Sequence, residues 1–158
     1  SSKTTPTGSA QPAVRTSIHD CAMRWVTKDV MLVTMDDQEE VRALAKGTRC
    51  FGPLSVHPGM LTLKKPRKDP LSWFVEAEHP PNRRVFQVTF APTGRRIALF
   101  STKDAAHRFC ETLQREFQQM LSEVSRPTLT YDKALKQLTE HPTWPRFAAR
   151  ITALKEQP

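Results

Sequence analysis

The chain has few residues that could staple it together and no signature of a catalyst. Its three cysteines (Cys21, Cys50, Cys110) are odd in number, widely spaced and without a CxxC pair. That pattern argues against a disulfide framework and against a structural zinc site. Their expected role is that of small buried thiols. GxSxG, P-loop, GxGxxG and HExxH patterns are all missing, so the expectation is a non-enzyme. No run reaches the roughly 18–20 consecutive apolar residues that a membrane-spanning helix needs. The chain opens on Ser1-Ser2-Lys3 without a positive-then-apolar leader. It therefore reads as a piece of a longer intracellular protein of the cytoplasm, cytoskeleton or nucleus.

Residue clusters that could hold a metal or a cofactor are also lacking. The five histidines (His19, His57, His79, His107, His141) lie far apart in sequence. His19-Asp20-Cys21 brings three reactive types together, but neighbours in sequence point in different directions. Asp36-Asp37-Gln38-Glu39-Glu40 lacks the ligand spacing and internal glycine of a calcium loop. No cofactor and no metal are expected.

Positive charge is what the chain has in excess. The net charge is +8 over 158 residues, and residues 51–70 carry the densest block, with Lys64, Lys65, Arg67 and Lys68 against Asp69. A balance of this kind favours a polyanionic partner. With 38% hydrophobic residues, there is enough apolar material for one core. The 13 prolines and a mean hydropathy of −0.52 imply that part of the chain is loop or tail.

Along the chain, residues 1–16 are Ser, Thr, Pro, Gly and Ala with almost no large apolar side chain, and read as a flexible linker. Met23–Val26 and Val30–Met35 look like two short strands turning at Lys28-Asp29. Residues 36–46 look like a short helix, with acids in the first turn, Val41, Leu44 and Ala45 on one face and Gly47 at the end. Met60–Leu63 and Leu71–Glu78 read as strands separated by the basic KKPRKDP loop. Val85–Ala91 alternates, with Phe86, Val88 and Phe90 on one side and Gln87 and Thr89 on the other. Pro92-Thr93-Gly94 supplies a hairpin loop with glycine where a positive φ is needed, and Ile97–Phe100 returns as the last strand, with Leu99 expected in the core beside Phe86, Val88 and Phe90.

Ser101-Thr102-Lys103-Asp104 then resembles a capping box. It opens a helix in which Ala106, Phe109, Leu113, Phe117, Met120 and Leu121 recur at three- and four-residue spacing. Pro127 stops that helix near Ser125. Two further helical patterns follow. The first carries Tyr131, Ala134, Leu135 and Leu138, the second Trp144, Phe147, Ala148, Ile151 and Leu154. Their narrow apolar faces should dock on the β-domain or on a partner.

Residues 84–121 (RVFQVTFAPTGRRIALFSTKDAAHRFCETLQREFQQML) resemble the last two strands and C-terminal helix of the pleckstrin-homology (PH) superfold. The shared pattern is F-x-V-x-F, a turn, a strand ending L-F, then S/T-x-x-x-A-x-x-F/W-x-x-x-L. The resemblance implies an α+β fold: a PH-like antiparallel β-barrel or sandwich of about seven strands, capped by the amphipathic helix and followed by extra short helices. It divides the chain into a linker over 1–16, a β-domain over 17–125 and a helical extension over 126–158. Phe109 stands where the family usually has Trp. The K-x(n)-K/R-x-R signature of the members that grip inositol phosphates is missing from residues 23–33. Polo-box domains, a six-stranded sheet with a C-terminal helix, are similar in outline and bind phosphopeptides.

The functional expectation is a non-catalytic interaction module of a larger scaffold or regulatory protein. Its partner would be another protein, met as a peptide or as an acidic or phosphorylated segment. Lys64, Lys65, Arg67 and Lys68 of one loop, with Arg95 and Arg96 of the next hairpin but one, should converge into one anion-binding end. A groove between the C-terminal helix and its neighbouring strand is a second place where a peptide could add. Phosphoinositide binding and nonspecific nucleic-acid binding are the alternatives. The latter would need exposed aromatics among the cations, and only Trp73 sits beside the cluster.

Overall fold

The computed structural model describes residues 24–36, 39–66, 68, 72–78, 84–125 and 130–155. The expected linker, His19-Asp20-Cys21 and Arg67 lie outside them. Among the described residues there are seven strands followed by four helices: β1 (Trp25–Asp36), β2 (Glu39–Phe51), β3 (Leu54–Pro58), β4 (Met60–Lys64), β5 (Phe74–Glu78), β6 (Phe86–Phe90), β7 (Arg95–Phe100), α1 (Lys103–Glu116), α2 (Gln118–Val124), α3 (Tyr131–Glu140) and α4 (Trp144–Lys155). The class is α+β, as expected.

Five strands form one antiparallel sheet in the order β1-β2-β3-β6-β7, and β4 and β5 form a separate two-stranded sheet. The barrel expected from the resemblance does not close. Among the described residues β1 and β7 form no ladder, and a backbone bond from Val33 N–H to the carbonyl of Gly94, in the turn before β7, links them at 3.2 Å.

The main sheet is covered on both faces, which explains why all five residues of β6 are buried. On one face α1 and α2 seat Phe109, Leu113, Phe117 and Leu121 against Leu54, Val56, Phe86, Val88 and Phe90. The β4–β5 hairpin covers the other, where Leu61, Leu63 and Val75 pack on Val30, Leu32, Ala45 and Cys50. Gln87 and Thr89 face this second layer, so they are buried although polar.

Three expectations are corrected. Residues 39–51 form a strand, where a helix had been expected over 36–46. They pair with β1 from Trp25↔Phe51 to Asp36↔Glu39, and Ala43 and Ala45 alternate into the core. Long-range pairing overrides the helix-favouring composition of EEVRALAK. Lys28-Asp29 lies inside one continuous strand, where a turn had been expected, and the register shift there sets Lys46 and Gly47 of β2 opposite Asp29 alone. Asp29 Oδ1 accepts a hydrogen bond from Gly47 N–H at 3.1 Å, which ties β1 to this bulge in β2. Leu99, expected in the core, is 39% exposed. A register shift in the β6–β7 pairing sets Ala98 opposite Val88 and Phe100 opposite Phe86, so Leu99 turns to the other face with Gln87.

The helix expected over 102–125 is broken at Phe117, which has φ −123° and ψ 32°. Its N-cap is Thr102, whose hydroxyl accepts from Ala105 N–H at 3.1 Å. The last two helices fold back onto the domain. Phe147 on α4 is 1% exposed and meets Phe117 edge to face at 5.0 Å, and Arg150 grips Glu116 through two bonds of 2.9 and 3.0 Å. Cys50 and Cys110 are buried free thiols, and burial pushes both thiol pKa values up.

One consequence is measurable by pH. His57 is 3% exposed, and its Nε2 lies 3.2 Å from Ser55 Oγ. The Ser55 hydroxyl donates to the Thr89 carbonyl at 3.2 Å, so Nε2 carries the proton of a neutral ring. Burial lowers the His57 pKa from 6.5 to about 4. A lowered histidine pKa means that the unfolded chain takes up the proton first. Stability is therefore full above pH 6.5 and falls as the pH drops toward 4, by roughly 3 kcal/mol in all. Urea denaturation of His57→Gln should show a flatter profile than the parent across this window. A variant profile parallel to the parent's would show that His57 does not set the slope.

Candidate functional site

A cleft of about 590 Å³ opens between the β4–β5 hairpin and the outer strands of the main sheet. Leu32, Val33 and Thr34 of β1 line it, as do Leu61, Thr62 and Leu63 of β4, Trp73, Gln87 of β6 and the Gly94-Arg95-Arg96 turn. Gln87 is buried and Leu61 and Leu63 are half-buried, so with Leu32 they make the floor of the cleft.

Local chemistry puts each group there. Gly94 has φ +71°, and a Cβ on it would stand 2.5 Å from the Met31 carbonyl oxygen and 2.7 Å from Val33 N. Only glycine lets the β6–β7 hairpin abut β1 this closely, and the same turn delivers Arg95 and Arg96 to the cleft. Thr93 steadies the turn, its hydroxyl donating to the Phe90 carbonyl and accepting from Arg95 N–H. Gln87 spans the two sheets. Its Oε1 accepts from Leu61 N–H at 3.0 Å and its Nε2 donates to Thr89 Oγ1 at 2.8 Å.

The six expected cations are not equivalent. Arg95 and Arg96 line the cleft, and among the described residues neither is paired with a carboxylate. Lys65 is exposed and places its ammonium 5.4 Å from the centre of the Trp73 ring, itself a cleft wall. Lys64 is held in an ion pair with Glu78 at 3.2 Å. Lys68 is exposed, and Arg67 lies outside the described residues. Two guanidinium groups therefore line one concave surface, and the Lys65 ammonium lies over the ring of Trp73, which also lines it.

No family model, curated protein or solved structure matches the chain. Among the described residues no group of three or more His, Cys, Asp or Glu side chains converges, and no helix is long and apolar enough to cross a membrane. The cleft is the candidate that the geometry offers.

The apolar part of this surface was not anticipated from the sequence. Leu61 and Leu63 read simply as strand residues, and Gln87 as the polar side of an alternating strand. The one signal was Trp73, an aromatic residue immediately after a proline-bounded basic loop.

Proposed function

We propose that the chain is a non-catalytic interaction module that binds an acidic or phosphorylated segment of a protein partner at this cleft. The observation that carries the reading is that Arg95 and Arg96 line one concavity, with Lys65 over the ring of Trp73, another lining residue, and with no carboxylate partner for any of the three among the described residues. Unpaired guanidinium groups on a concave surface suit carboxylate and phosphate, which they bind by charge-assisted hydrogen bonds. The other place considered for a peptide, beside the helix that follows β7, is less available, because α4 packs against both α1 and β7. We read the architecture as an open variant of the PH-like arrangement. The hairpin β6–β7 running directly into a helix that crosses β3, β6 and β7 supports that reading.

The test is charge reversal with a matched control. Arg95→Glu with Arg96→Glu should weaken binding to an acidic peptide at least tenfold at low salt. Arg83→Glu with Arg84→Glu, a pair that precedes β6 in the sequence, should leave it within about twofold. Arg84 there lies over the Phe86 ring at 5.6 Å, away from the cleft. Equal losses from both pairs would leave only a generally basic surface, as nonspecific nucleic-acid binding requires.

A further inference from the structure

We infer that the partner segment carries a large apolar side chain among its acidic groups, and that this side chain seats on the floor of the cleft. The inference rests on the peptide reading above and adds the chemistry of the anchor.

The floor and the rim of the cleft differ in what they leave unsatisfied. At the floor the Gln87 amide is engaged at both ends, by Leu61 N–H and by Thr89 Oγ1. The Thr62 hydroxyl is turned to the Glu76 carbonyl and to Glu78 Oε2. A polar ligand group entering there would lose water and meet an amide and a hydroxyl already engaged, which is costly. Leu61 and Leu63 on that floor are only half-buried, so an apolar group that covers them gains. At the rim the requirement is reversed. Arg95, Arg96 and Lys65 call for negative charge and contribute little to an apolar ligand.

A lipid with an anionic head group and an acyl tail would meet the same two demands. The edges of the cleft favour a peptide instead. β1 and β7 are the outer strands of the main sheet, and beyond the bond from Val33 N–H to the Gly94 carbonyl an outer strand offers backbone donors and acceptors that pair with another backbone. An acyl chain cannot use them. The chain's own residues 1–23 are a poor occupant, because Lys3 and Arg15 outweigh Asp20 there.

Two capped pentapeptides of equal charge test the anchor, Glu-Glu-Phe-Glu-Glu and Glu-Glu-Gly-Glu-Glu, titrated against the parent protein at low ionic strength. The phenylalanine peptide should bind about tenfold tighter. Leu63→Trp, which fills the floor without touching a cation, should lower it to the affinity of the glycine peptide and leave the latter unchanged. If that variant does not fold, the comparison on the parent still decides. Equal affinity of the two peptides for the parent overturns the anchor and leaves acidic binding standing. Binding of neither peptide, with binding of phosphoinositide-containing vesicles, overturns the peptide reading and the anchor together.

Discussion

Phe109→Ala should lower the stability of the chain by about 3–5 kcal/mol, the range for removing a buried phenylalanine side chain. Phe109 is 3% exposed in the larger core cluster, and its ring lies 5.0 Å from that of Phe100. Truncation would open a cavity where α1 crosses the sheet, and neighbours on a helix and a strand cannot both collapse into it. A melting curve should show a fall of about 10 °C or more. Leu99→Ala, at the exposed face of β7, is the internal control and should cost under about 1 kcal/mol. Parent-like stability in Phe109→Ala would show that α1 does not seal the core as described.

Phe147→Ala should be comparably damaging although it lies in the last helix. Its side chain is 1% exposed and joins the same cluster as Phe109, with Trp144, Ile151 and Leu154 packed around it. The turn before α4 is tied down as well. Thr143 N–H donates to His141 Nδ1 at 3.1 Å, so Nε2 carries the ring proton and donates to Glu123 Oε1 at 2.7 Å. A loss of about 3 kcal/mol or more in chemical denaturation, in a single cooperative transition, is the expected result. A separate early transition for α3 and α4 with the rest unchanged would make them an independent unit.

The part of the fold legible in the sequence is the part where periodicity is unambiguous. Phe86, Val88 and Phe90 fit only a period of two. Ala106, Phe109, Leu113, Phe117 and Met120, spaced by threes and fours, fit only a helix, and Gly94 marks the turn before the last strand. Residues 39–46 satisfy both periods at once, because Val41, Leu44 and Ala45 suit a helix while Val41, Ala43 and Ala45 suit a strand. The choice is made by eleven pairings with β1, which no local window contains. Leu99 was misplaced for a similar reason, since the register shift between Val88 and Thr89 reverses which face it takes.

The site divides in the same way. Its cations were visible as charge, and their position beside one concavity follows from Gly94 and Trp73. Its floor was not visible, since Leu32, Leu61 and Gln87 come from distant segments and meet only when β4 and β5 fold over the main sheet. Lys64 looked equal to Lys65 in sequence, but cross-strand geometry commits it to Glu78.

The most direct test of the central claim is to map amide and tryptophan indole NMR shifts while the Glu-Glu-Phe-Glu-Glu peptide is titrated into the protein. The account predicts saturable changes concentrated at Leu61–Leu63, the Trp73 indole and Gly94–Arg96, with residues near Arg84, Arg108 and Arg146 unmoved. Small non-saturating changes spread over all the basic residues alike, with the Trp73 indole still, would contradict it.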